Sequence, residues 1–183
     1  KVIATARRQD KLDALANKYE GQIFPLKLDV TDTEAVDSIL DKLPDEFKNI
    51  DVLVNNAGLA LGQDKAFTCS LKDWHTMVNT NIKGLLNITH KLLPLMVKKN
   101  KGYIINLGST AGAWPYTGGN VYGGTKAFVE QFSRNLRCDL AGTALKVTVI
   151  KPGLCSNTEF SNVRFKGDNE KAVAVYKDVE AIL

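Results

Sequence analysis

The sequence predicts an α/β domain in three layers, a doubly wound parallel sheet with helices over both faces. Two observations carry this. Short apolar runs of strand length alternate with longer stretches whose apolar residues recur at helical spacing. The strand-like runs are apolar on both sides, as strands buried from both faces must be. The 183 residues are enough for one such core, and 44% apolar with 24% charged residues is an ordinary balance for a globular chain.

The elements follow in order. Val2 to Thr5 is an apolar run, and Asp10 to Tyr19 carries Leu12, Leu15 and Ala16 at helical spacing. Ile23 to Leu28 alternates and stops at Asp29-Val30. Thr31 with Glu34 is expected to open the next helix as a capping box, with Val36, Ile39, Leu40 and Leu43 on its buried stripe before Pro44. Ile50 to Val54 is a strand leading into Asn55-Asn56-Ala57-Gly58, and Ser70 with Asp73 starts a helix. Leu85 to Val97 is helical with Pro94 inside it. Tyr103 to Leu107 and Leu145 to Ile150 are strands, with Tyr122 to Leu140 a helix between them. No repeat or linker divides the chain, so residues 1–183 are expected to form a single domain.

The net charge of +4 is small and its bases are scattered, which disfavours a nucleic-acid partner. Cys69, Cys138 and Cys155 are odd in number, far apart and outside any C-x-x-C pattern. They point to a reducing, cytoplasmic setting and away from disulfides or zinc. His75 and His90 lack ligand-type neighbours, so no metal is expected. No apolar run has the length of a membrane span.

The chemistry-bearing residues gather where strands end, the place where open α/β sheets bind ligands. These are Thr5-Ala6-Arg7, Asp29, Asn55 to Gly58, Ser109 and Pro152-Gly153. Tyr122 and Lys126 lie one turn apart at the start of a helix and share a face. A free tyrosine, with a pKa of about 10, is a poor base at neutral pH, and a nearby ammonium lowers it. The spacing alone recurs by chance and equally describes a core tyrosine beside a surface lysine. Ser109, just past the strand before that helix, is placed to donate to the oxygen that Tyr122 protonates. On its own it is equally a turn serine.

Taken together, Asn55-Asn56-Ala57-Gly58, Gly108-Ser109, Tyr122-x-x-x-Lys126 and Pro152-Gly153 resemble the short-chain dehydrogenase/reductase family over almost the whole chain. The resemblance implies a Rossmann-like fold with Tyr122 as general acid/base and Ser109 polarising the substrate oxygen. Lys126 would lower the tyrosine pKa and bind the nicotinamide ribose, and Asn81 would hold a proton-relay water. Asp29 and Val30 correspond to an adenine-contacting pair, and Asn55, Ala57 and Gly58 to the backbone beneath the adenosine. Pro152, Gly153 and Thr158 correspond to contacts with the nicotinamide end. Thr158 is equally a helix cap, and Asp29 a turn aspartate.

An arginine at the end of this first strand, with no acid before Asp10, suits the 2′-phosphate of NADP. NADP(H) is therefore the expected cofactor, with Arg7 the leading contact and Arg8 supporting. The family's T-G-x-x-x-G-x-G turn is not present in the sequence. The expectation is thus an internal fragment lacking the family's first strand and helix and its last strand, with an interrupted sheet and neither stability nor cofactor binding of its own.

Four stretches, 55–62, 108–116, 118–122 and 158–165, resemble more closely the NADP-dependent 3-hydroxy acid (serine and allo-threonine) dehydrogenases. That implies interconversion of a small 3-hydroxy acid, of the serine, allo-threonine or 3-hydroxypropionate type, with its 3-oxo acid or semialdehyde. Arg164, after Pro152-Gly153, would take the substrate carboxylate, and is equally a surface or interface arginine. The alternatives are a carbonyl reductase for larger ketones and a non-catalytic scaffold of the same fold. Family members pair long helices into dimers or tetramers, so a homo-oligomer is expected.

Overall fold

The computed structural model describes residues 1–156 and 158–177. Five parallel strands lie in two sheets. The first pairs β1 (Val2–Ala6) with β2 (Ile23–Lys27). The second has the order β3 (Val52–Asn55), β4 (Tyr103–Leu107), β5 (Lys146–Ile150). Among the described residues no ladder joins the two. Pro25 sits within β2, where it is tolerated because β2 has a ladder on one side only.

Helices connect the strands as right-handed parallel units demand. They are α1 (Gln9–Lys18), α2 (Thr33–Asp37), α3 (Leu71–Val78), α4 (Leu85–Lys98) and α5 (Asn120–Asp139). After β5 come α6 (Phe160–Arg164) and α7 (Asn169–Ala174). Among the described residues no helix is long and apolar enough to cross a membrane.

One core unites the two sheets. Leu28, Val36 and Ile39 pack with Leu53, Ile104 and Val147 of the second sheet and with Ile88, Leu92, Met96 and Leu136 of α4 and α5. Each such side chain contributes roughly 1.5–3 kcal/mol by leaving water. The other face of β3 is barer. Val52 and Val54 are 51% and 53% exposed while Leu53 between them is 8% exposed, the strand alternation made visible.

One local expectation is corrected. Thr31 does not cap α2, because Asp29 Oδ1 already accepts from both the Thr31 amide and hydroxyl, at 2.9 and 2.7 Å. Asp32 is the N-cap instead, its carboxylate accepting from the Ala35 amide. Between α3 and α4 the chain departs from the α-helical ladder. Residues Asn79–Gly84 form a wide π-helical turn, a device common at functional sites. Gly84 is required there, since a Cβ would come within 2.5 Å of the Val30 side chain.

Candidate active site

The ends of β3, β4 and β5 open onto a cavity of about 1290 Å³. Ser109, Tyr122, Lys126, Gly58, Pro152, Gly153, Thr158 and Arg164 all line it. Ser109 follows β4 and caps a short 3-10 turn, its hydroxyl accepting from the Ala111 amide at 3.1 Å. Tyr122 and Lys126 sit in the first turns of α5, 8% and 7% exposed. The Lys126 ammonium lies 5.9 Å from the Tyr122 ring centroid and donates to the Leu107 carbonyl at 2.7 Å. The end of β4 thus fixes both Ser109 and, through a backbone oxygen, Lys126.

The charge balance of the pair differs from the expectation that Lys126 lowers Tyr122. Burial pushes the Tyr122 hydroxyl above its ordinary value. Ser109 is near enough to offset part of that rise, although no hydrogen bond of ordinary geometry joins the two hydroxyls. Burial also brings Lys126 down to about 8. Both residues are thus biased toward their neutral forms, because loss of water penalises each charge.

Asn81 lies in the π-turn, 2% exposed. Its amide donates to the Leu59 carbonyl and to Thr125 Oγ1, at 2.9 and 3.0 Å, and its oxygen accepts from the Leu59 amide at 2.8 Å. Thr125 in turn donates to the Tyr122 carbonyl at 2.8 Å. The Asn81 side chain is therefore committed to clamping the loop after β3 onto α5. At Gly58 a Cβ would sit 3.3 Å from Asn81 Oδ1 and 3.4 Å from the Lys126 ammonium, so the bare backbone keeps that corner open.

The cofactor-side residues divide. Arg7 is exposed after β1 and lies close enough to Asp29 to help hold that carboxylate below its usual range, after the Thr31 bonds. Arg8 reaches across to Glu159, with nitrogen–oxygen distances of 3.2 and 2.5 Å. Val30 turns its side chain against Gly84 and gives its carbonyl to Asn87. The Asn55 side-chain amide points inward, donating to Thr89 and Asn106 at 3.0 and 2.8 Å. Ala57 is exposed beside Gly58. The Pro152 carbonyl accepts from the Thr110 amide, which ties the β5 end to the Ser109 turn. Thr158 Oγ1 accepts from the Phe160 amide at 3.3 Å, a turn contact just ahead of α6, whose N-cap is Glu159.

Arg164 is neither a surface nor an exposed interface residue. It is 7% exposed, with Nε donating to the Gly62 carbonyl at 3.0 Å and Nη2 to the Tyr116 hydroxyl at 3.1 Å. Sequence reasoning assigned no role to Tyr116, Thr125 or the Leu107 carbonyl. Thr125 could have been found, since it shares the buried face of α5 with Tyr122. A backbone acceptor such as Leu107 leaves no mark in side-chain pattern.

Comparison with known proteins agrees with this geometry. A family model described as short chain dehydrogenase matches residues 1–169. The NADP-dependent 3-hydroxy acid dehydrogenase YdfG of Escherichia coli K12 is 57% identical over 182 residues, which are 100% of this chain and 73% of that protein. Serine 3-dehydrogenase of Agrobacterium fabrum is 53% identical, over 100% of this chain and 72% of its own. A solved structure, the closed form of serine dehydrogenase complexed with NADP+, superposes with a TM-score of 0.96 at 57% identity, covering 98% of this chain and 73% of that one. The chain belongs to the short-chain dehydrogenase family of oxidoreductases.

Proposed function

We propose that the protein is an NADP-dependent oxidoreductase that interconverts the 3-hydroxyl of small 3-hydroxy acids, of the serine, allo-threonine or 3-hydroxypropionate type, with the 3-oxo acid or semialdehyde. The observation that carries this is a single cavity lined by Ser109, Tyr122 and Lys126 together with a buried Arg164 that forms no ion pair with any described carboxylate. The names borne by the Escherichia and Agrobacterium relatives support the same substrate class.

In this reading Tyr122 hands its proton to the substrate carbonyl oxygen during reduction and takes one from the hydroxyl during oxidation. Its raised pKa suits the acid role at neutral pH. Ser109 donates to the same oxygen, where charge develops. Lys126 uses one N–H on Leu107 and keeps two for the ribose hydroxyls of the cofactor. When bound, the nicotinamide supplies or accepts the hydride.

The residues present fit such a dinucleotide. Gly58 leaves bare backbone beside Lys126, and Arg7 and Arg8 place guanidinium groups at the end of β1 for the 2′-phosphate. Asp29, Val30, Asn55 and Ala57 would lie along the adenosine, and Pro152, Gly153 and Thr158 by the nicotinamide. Because its side chain is already committed, Asn81 would hold a relay water through its backbone carbonyl in the π-turn, where the α-helical ladder is broken. Residues 1–183 act as one domain of a cytoplasmic homo-oligomer, a dimer or tetramer paired through α4 and α5.

The test is NADPH formation, followed at its absorbance, with serine, allo-threonine and 3-hydroxypropionate against a panel of larger alcohols, for these residues within a chain of the relatives' full length and for Tyr122→Phe in it. Preference for the 3-hydroxy acids with NADP over NAD, and a loss of at least about 100-fold in kcat/KM in the variant, is the expected result. Turnover of larger alcohols alone, or a variant within about tenfold of the parent, would refute it.

A further inference from the structure

We infer that Tyr116 is a second carboxylate-binding donor, forming with Arg164 a two-point clamp that makes the site select 3-hydroxy acids over uncharged alcohols. The inference rests on the substrate class proposed above and assigns a residue that the proposal does not use.

The starting point is an imbalance. A buried charge is costly unless paired, yet the two hydrogen-bond acceptors that Arg164 finds, the Gly62 carbonyl and the Tyr116 hydroxyl, are both neutral. Among the described residues Nη1 has no partner. The two lysines at the outer rim of the cavity differ from it. Lys166 is paired with Asp73 at 2.7 Å and Lys171 with Asp168 at 3.2 Å. Among the described residues Lys126 also lacks an anion but already donates to the Leu107 carbonyl, so Arg164 is the cation nearest Tyr116 that is left without one.

Tyr116 supplies the second point. A phenolic oxygen accepts hydrogen bonds and carries one proton to donate. Here the oxygen accepts from Arg164, and among the described residues the proton has no acceptor. Tyr116 also lines the cavity, half-buried. Nη1 of Arg164 and the hydroxyl of Tyr116 are therefore two adjacent, unspent donors. A carboxylate, with two oxygens in one plane, fits such a pair.

Position relative to the reacting centre agrees. The guanidinium carbon is 5.5 Å from the Tyr116 ring centroid and 6.0 Å from that of Tyr122. The clamp thus sits beside the proton donor, where an acid group two carbons from the carbinol carbon would reach it. Tyr122 and Tyr116 also share one apolar cluster with Leu59, Ala60 and Met77, so the two phenols are held by the same packing.

The turn that carries Tyr116 is fixed by close backbone approach. Gly118 has φ +77°, and a Cβ there would lie 2.1 Å from the Gln63 carbonyl oxygen. A Cβ on Gly119 would lie 2.6 Å from the Tyr116 ring. Only glycine lets this turn seat against the 61–63 loop, to which Arg164 is bonded at Gly62 by both Nε and its own carbonyl. Clamp and turn are one rigid unit, which lowers the cost of ordering its donors on binding.

The experiment compares kcat/KM for 3-hydroxypropionate and for its methyl ester, with NADP+, in the protein and in Tyr116→Phe. Both substrates present the same carbinol and are turned over by the same folded molecules, so the acid-to-ester ratio does not depend on how much of a variant folds. The protein is expected to prefer the acid. Tyr116→Phe is expected to cut that preference about tenfold or more, the loss of one hydrogen bond to a charged group. A ratio within about threefold of the parent, well below the tenfold step of 1.4 kcal/mol, overturns the assignment of Tyr116. Should Tyr116→Phe turn over neither substrate, Tyr116→His, which keeps a ring and a donor, is read by the same ratio: retained acid preference supports the clamp and lost preference overturns it. A parent protein with no preference for the acid would instead sink the proposed substrate class, and Tyr116 with it.

Discussion

Lys126→Met separates what the ammonium does for the reaction from what it costs the fold. The wild-type side chain is 7% exposed, and burial lowers its pKa from 10.5 to about 8. A depression of that size penalises the charged form by on the order of 3 kcal/mol at neutral pH. Against it stands the hydrogen bond to the Leu107 carbonyl at 2.7 Å, of a charged type worth about 1.5–3 kcal/mol. The two nearly cancel, so methionine, of similar length and apolar, is expected to change stability at pH 7 by no more than about 1 kcal/mol, or about 2–4 °C in Tm. The unfolded chain binds the Lys126 proton more tightly than the folded one. The penalty is therefore complete below about pH 8 and vanishes as pH rises through the unfolded value near 10.5. Wild-type stability gains over that window from this group, and the variant lacks the gain. kcat/KM is expected to fall at least about 100-fold. Thermal melts across the window and initial rates of NADPH formation read both quantities. A variant that keeps more than about a tenth of the activity would refute the role in the reaction. A stability difference of about 4 kcal/mol that does not change with pH would refute the balance of burial and hydrogen bond.

Three further outcomes follow from the same geometry. Because burial raises Tyr122, alcohol oxidation should keep climbing to at least about pH 9 while carbonyl reduction, which uses the protonated phenol, holds level over that range; an oxidation plateau below about pH 8 would show a lowered tyrosine instead. Asn81→Ala strips partners from both the amide and the carbonyl of Leu59, so urea unfolding should show a loss of about 2 kcal/mol or more, and a change under about 0.5 kcal/mol would mean the loop after β3 is held by something else. Arg8 is shared with Glu159 whereas Arg7 carries no such tie, so Arg7→Ala should weaken NADPH binding by about tenfold and Arg8→Ala by less than about threefold, measured by fluorescence titration; the reverse order would make Arg8 the phosphate contact.

Much of the scaffold was legible because periodicity is local. Tyr103–Leu107 is a strand at the expected bounds, and α1, α4 and α5 begin and end within two residues of expectation. What failed were competitions between neighbours. Thr31 reads as a cap until Asp29 takes its amide and hydroxyl, which leaves the role to Asp32. The π-turn at Asn79–Gly84 was invisible because one widened turn barely changes which residues face inward. Arg164 was legible as a candidate for a carboxylate, but its burial depends on Gly62 and Tyr116, distant in sequence.

The Tyr122–Lys126 pair shows where sequence logic stops and packing decides. Spacing puts an ammonium on the same helical face as a phenol, and Coulomb's law alone then lowers the phenol. In the folded protein the ammonium is drawn to the end of β4 by Leu107, and the loss of water raises the tyrosine, against smaller lowering by Ser109 and Arg164, and lowers the lysine too. The consequence at neutral pH is a protonated Tyr122 beside a Lys126 that is still mostly charged, since its pKa of about 8 lies above neutrality. Arg164 adds a second buried cation to the same cavity, and no ion pair with a described carboxylate offsets either charge. An active site with that surplus is unfavourable until anions enter it. In the proposed function those anions are a phosphorylated dinucleotide and a carboxylate substrate, and the electrostatic cost built into the fold would then be the same feature that gives binding its selectivity.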